Sequence, residues 1–245
     1  MSALGELVLY AALPVGALSA VMSIAGGWTG RGDLAAVGGR AARATAALLL
    51  VSVAGLAYAL LTVQIKYGYV AALTGFQDGW PARLAALWSG PAGALLVFTA
   101  LLWLAAAVSY GARVTRGSSA RIGALASLGL IALLIVVTRA RPFAQSEALA
   151  AEGAGLPNGM RDLGWQVECW AVVIAAVFAA TTFAAVIGQQ ISESQGRGSG
   201  ERGAARWTAA FLTVALLASA WRAYGDTGRL LDITGVSFVA VHVPA

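Results

Sequence analysis

The chain holds one histidine, His242, and one cysteine, Cys169, in 245 residues. Those two counts bound its chemistry before any fold is considered. A neutral imidazole is a common haem-iron ligand, but one histidine cannot supply a bis-histidine haem site or a multi-histidine metal centre. One cysteine rules out an internal disulfide, a Cys-x-x-Cys redox pair, a haem-attachment motif and a cysteine zinc cluster. Cys169 has no basic sequence neighbour to activate it and reads as a buried, inert thiol. Glu168 stands at the mouth of an apolar run, where a charge at membrane depth would mark function. Its neighbours Trp165 and Trp170 favour a wetted, interfacial carboxylate instead. His242 lies on a short apolar tail and reads as a satisfied or exposed side chain. Gly196 to Gly203 is glycine-rich but lacks the Gly-Lys-Ser/Thr ending of a phosphate loop, so it reads as a linker. No nucleophile–base pair, carboxylate dyad or metal box is visible. No catalytic, cofactor-binding or metal-binding residue is therefore assigned, and no cofactor is expected.

The elements around these residues are those of a membrane protein. Hydrophobic residues make up 59% and charged residues 11%, against roughly 25% charged in a soluble domain. About 20 apolar residues at 1.5 Å rise match a hydrocarbon core of ~30 Å. The runs predict an all-α polytopic bundle with about six spans: 7–26, 45–65, 91–110, 122–138, 167–187 and 208–221. The first carries Glu6 and no Lys or Arg before it, and it reads as a retained helix kinked at Pro14 rather than a signal peptide. The third is entered through an interfacial stretch from Pro81. Trp28, Trp88, Trp165, Trp170, Trp207 and Trp221 fall near span ends, as an aromatic belt requires; Trp103 alone lies well inside one. Alanine recurs in every span and glycine in the first four, which favours close helix packing.

Charge sets the orientation. The odd loops carry Arg31, Arg40, Arg43, Arg113, Arg116, Arg121, Arg197, Arg202 and Arg206 against Asp33, Glu193 and Glu201. The even loops and the tail pair seven basic residues with six acids. This bias places the odd loops in the cytoplasm and both termini outside. The net charge of +5 is thus a membrane-orientation signal, and no nucleic-acid partner is expected. The external side then comprises the 66–90 loop, the 139–166 loop and the tail 225–245. Gly235 to Pro244 is too short to span and reads as interfacial or packed on a partner.

Several motifs resemble the bacterial cytochrome c maturation haem-lyase family. Tyr69-Val70-Ala71 followed by Leu87-Trp88-Ser89-Gly90-Pro91-Ala92-Gly93-Ala94-Leu95-Leu96 looks like that family's Tyr-Val-Ala … Leu-Trp-Gly-Gly-His-Glu-Gly-Ser-Leu-Leu. Arg141-Pro142-Phe143-Ala144 resembles its Asn-Pro-Phe-Ala, and Asp162-Leu163-Gly164-Trp165-Gln166-Val167-Glu168 its Asp-Pro-Gly-Leu-Ala-Ile-His-Pro-Pro. Arg206-Trp207-Thr208 and Ala220-Trp221-Arg222-Ala223-Tyr224-Gly225 resemble the helix entering its tryptophan-rich haem-handling loop. The likeness covers the N-terminal part of a full-length lyase. The departures fall on the haem ligands. His-Glu becomes Pro91-Ala92, the His-Pro-Pro histidine becomes Glu168, and the tryptophan-rich end reduces to Arg229 to Gly235.

The resemblance implies a haem-lyase scaffold whose haem chemistry is erased. The expected function is a non-catalytic subunit, not an enzyme, in a bacterial inner membrane. It would brace membrane or periplasmic partners in a cytochrome-linked complex. The alternative is a haem-handling piece of a split lyase. A small transporter lacks the repeat and broken-helix cues it would need. In the resembling family the external face receives haem and apocytochrome, so Trp80, Phe143 and Phe238 are the expected partner-binding anchors.

Overall fold

The computed structural model describes residues 2–110, 116–145, 153–161 and 163–192. Five of the described helices are long and apolar enough to cross a membrane. They are α1 (Ser2–Thr29), α2 (Gly32–Leu61), α5 (Pro91–Val108), α6 (Arg116–Ile135, continued by a π-helical turn Val136–Ala140) and α8 (Leu163–Ser192). Three short helices, α3 (Gly68–Leu73), α4 (Trp80–Ser89) and α7 (Asn158–Arg161), lie in the two connections expected outside the membrane. The architecture is an all-helical polytopic bundle. The sixth expected span 208–221, the tail, Phe238 and His242 lie outside the described residues.

The second span begins earlier than its apolar run. α2 starts at Gly32, so Arg40 and Arg43 stand on a helix and not in a loop. The Ala- and Arg-rich stretch is a strong helix former, and arginines at a helix edge keep their heads wet while their stems stay apolar. Both are exposed. Arg43 stacks on Tyr110, 4.6 Å from the ring centre, and donates to the Tyr110 carbonyl at 3.3 Å. The contact ties the start of α2 to the end of α5.

Small residues set the helix crossings. α1 and α2 turn back on each other at Gly30, whose φ is 72°. A Cβ on Gly26 would lie 2.7 Å from the Ala35 nitrogen, and one on Gly38 would lie 2.8 Å from that of Ser23. Ser19 donates to the Gly38 carbonyl at 2.9 Å across the same seam. Close backbone approach of this kind supplies the dispersion and polar contacts that hold helices together in lipid. On the other side of α1, Trp103 of α5 is fully buried. Cβ atoms on Gly16 of α1 and Gly129 of α6 would lie 2.9 Å and 2.7 Å from its indole. Both helices are notched where this ring sits.

The helices end by identifiable backbone devices. α6 passes through the π turn and stops at Arg141, whose φ is 41° and whose N–H bonds the Val136 carbonyl at 2.8 Å. α2 stops at Thr62 and Val63; Val63 has φ 50° although β-branched, and its side chain is buried. Such a conformation persists only where packing over-determines it.

Candidate functional site

The described parts of the two connections 66–90 and 139–166 close over one end of the bundle as a single layer. Gly68 donates to Ala144 at 3.0 Å, Ala154 donates to Ala71 at 2.7 Å, and Tyr67 pairs with Gln145 in a bridge. Arg83 of α4 donates to the carbonyls of Leu61 and Phe76, each at 3.0 Å, and so ties α4 to the end of α2.

Asp78 is the central clamp of this layer. Its side chain is 3% exposed and pairs with Arg161, 83 residues away. The same carboxylate accepts from Gly75 at 2.9 Å and from Leu156 at 3.2 Å. Arg161 also donates through Nε to the Leu156 carbonyl at 2.9 Å. A buried carboxylate is tolerated when a charge and several donors meet it, and all are present here. Gly153, at φ 71°, lets this strand of chain pass against Thr74.

A second knot joins α4, α7 and α8. The Gln166 amide accepts from Trp88 Nε1 and donates to Ser89 Oγ at 2.8 Å and to the Met160 carbonyl. Trp88 packs on Trp170 with ring centres 5.2 Å apart. At the Gly90–Pro91 break between α4 and α5, the Tyr69 hydroxyl donates to the Ala86 carbonyl at 2.7 Å. The backbone N–H groups of Gly90 and Gly93 meet the same hydroxyl. Tyr69 thus caps the end of one helix and the start of the next. A Cβ on Gly93 would collide with the Leu87 carbonyl and with this hydroxyl, so only glycine fits there.

Burial raises the Tyr69 phenol above its ordinary value of 10.0, with the nearby Cys169 a small addition. The folded value lies above the unfolded one. The stabilisation is therefore complete below the unfolded value and is lost as pH climbs through the folded one. Tyrosinate absorbance should show Tyr69 ionising only as the layer opens at strongly alkaline pH, later than Tyr67, which burial also raises. In Tyr69→Phe that late component should disappear; if it persists, the delayed tyrosine is another.

The expected site residues separate in space. Trp80, the first residue of α4, is 69% exposed, with Phe76 nearby in sequence at 56%. Phe143 is not a surface anchor in this chain. It is 4% exposed, meets Tyr67 edge-on at 5.9 Å, and covers Gly5, where a Cβ would lie 2.7 Å from the ring. Its position after the αL turn at Arg141 points it back into the bundle. Phe238 lies outside the described residues.

Glu168 also differs from expectation. It is fully buried, not wetted at the interface, because the outward position on that turn of α8 belongs to Val167. Cys169 beside it is half-buried, where a buried thiol was expected. Pro91 and Ala92 open α5 below the Tyr69 hydroxyl; Pro91 is exposed and Ala92 buried. Sequence reading missed the Asp78–Arg161 clamp and the Gln166 knot. Their partners lie 77 to 83 residues apart, and no local pattern signals such pairs. Among the described residues no group of His, Cys, Asp or Glu is placed to hold a metal ion.

No family model matches the chain, and no curated protein matches it. In three dimensions it is similar to a solved cytochrome c heme lyase, CcmF, with TM-score 0.77 and 18% identity. The match covers 91% of this chain and 36% of that one. The fold is that of the haem-lyase bundle. The chain spans little more than a third of the solved protein's length.

Proposed function

We propose that this chain is a non-catalytic, haem-lyase-like subunit of a bacterial inner membrane, with both termini outside, that braces partner proteins of cytochrome c assembly. Its external layer is the docking face, and Trp80 is the exposed anchor on it. The observation that carries this reading is the filled junction of α4 and α5. The resemblance puts His-Glu at that place, and this chain has Pro91-Ala92 there, with the Tyr69 hydroxyl occupying the notch. A fold kept while its ligand positions are filled by packing suits a structural role. The expected partners are membrane or periplasmic subunits linked to cytochromes, with the bilayer around the bundle.

Absorbance spectroscopy tests the proposal. The purified chain should show no stoichiometric haem band. A Soret band that survives purification and vanishes in His242→Ala would overturn the non-catalytic reading. A second reading, one piece of a split haem lyase, is supported by the likeness of the bundle to the solved haem lyase. That reading expects a Soret band in the complex with partners and none in the isolated chain. Orientation is tested separately. A reporter fused after Arg116 should report the cytoplasmic side, and an external signal would reverse the topology.

A further inference from the structure

At the end of the bundle opposite the external layer, α1, α6 and α8 leave an apolar groove of about 310 Å³. Ile24 and Trp28 of α1 form one wall, Phe183 of α8 the other, and Ala120, Ala124 and Ile131 of α6 the floor. Trp28 is 75% exposed, Ile131 57% and Phe183 56%. The Ser127 hydroxyl in the groove already donates to the Gly123 carbonyl at 2.8 Å. With only the Trp28 indole N–H left to orient a small ligand, the groove lacks the convergent polar groups that a specific small-molecule site needs.

We propose that the groove seats the chain's own next apolar segment, Thr208 to Trp221, as a sixth helix between α1 and α8. Three observations support this occupant. The groove is lined by the last turns of α1, one face of α6 from Ala120 to Ile131 and the later turns of α8, and α8 ends at the same end of the bundle as α1. A segment following Ser192 and returning to the bilayer starts beside the groove. The residues 193–207 that precede it reach about 50 Å when extended, which does not limit the seating. They include Arg197, Arg202 and Arg206, which suit the cytoplasmic interface.

The third observation is the match of small residues. Ala120 and Ala124 stand four apart on α6, a spacing that flattens one helix face for close approach. Ala215 and Ser219 repeat that spacing on the incoming segment. Lipid chains gain nothing from such a flat face, whereas a second helix with its own small residues does.

Cysteine crosslinking in membranes decides the matter, using the full chain with Cys169→Ala. Ser127→Cys is combined in turn with Ala215→Cys, Leu216→Cys, Leu217→Cys and Ala218→Cys, which together sample a complete helical turn. The control is Gly27→Cys with Ala120→Cys, where a Cβ on Gly27 would lie 3.4 Å from that of Ala120, close to disulfide range. The expected result is an intramolecular band for the position facing α6, at the extent of the control, and little for the positions facing away. If none of the four forms that band while the control does, the groove faces lipid and the proposal fails. A crosslinked dimer in place of the intramolecular band would assign the groove to a second copy and overturn it equally.

Discussion

Replacing Trp103 by Ala should cost about 3–5 kcal/mol, the range for deleting a buried aromatic ring from a core that relaxes only partly. The ring is fully buried in α5 and set against glycines of two other helices, Gly16 and Gly129. Neither helix is free to collapse into the space. α1 is held against α2 by the Gly26–Ala35 and Gly38–Ser23 approaches, and the start of α6 is tied to α1 by Ser119 donating to the Ser23 carbonyl at 2.7 Å. The indole Nε1 has no hydrogen-bond acceptor among the described residues, so the loss is one of packing. Trp103→Phe should accordingly recover much of the stability. Thermal or SDS unfolding in detergent micelles reads both variants. Equal losses in Phe and Ala would mean that the ring acts through its N–H and not through its volume.

Asp78→Ala should open the external layer at a cost of about 2–3 kcal/mol, the scale of a charge-assisted hydrogen bond removed from a buried group. It strands the N–H groups of Gly75 and Leu156 as well as the Arg161 guanidinium. Arg161→Ala should cost less, because the Asp78 carboxylate then keeps the Gly75 and Leu156 N–H donors, whereas Asp78→Ala removes all three contacts at once. Hydrogen exchange at Gly75 and Leu156 separates the two variants. Faster exchange in Asp78→Ala than in Arg161→Ala is expected. The reverse order would place the clamp's strength in the ion pair instead of the buried carboxylate.

By itself, the sequence determined the class of molecule and bounded its chemistry. Run length and apolarity are local quantities set against a fixed bilayer thickness, so the spans at α1, α5, α6 and α8 were legible within a few residues. α2 was legible in its apolar half alone, because its first turns are amphipathic and carry Arg40 and Arg43. A single histidine and a single cysteine limited metal and redox chemistry without any fold. The motifs around Tyr69, Trp88 and Phe143 were enough to expect the haem-lyase bundle.

Only the tertiary structure decided which way each side chain faces. Phe143 and Trp80 look alike as aromatic residues in polar connections, yet the αL turn at Arg141 buries the first and the start of α4 exposes the second. Glu168 and Val167 are adjacent, and the packing of α8 against its neighbours turned the charge inward and the apolar residue outward. Asp78 and Arg161 meet across 83 residues because two connections fold over the same end of the bundle. Such pairings depend on contacts between distant segments, and a one-dimensional pattern carries no record of them.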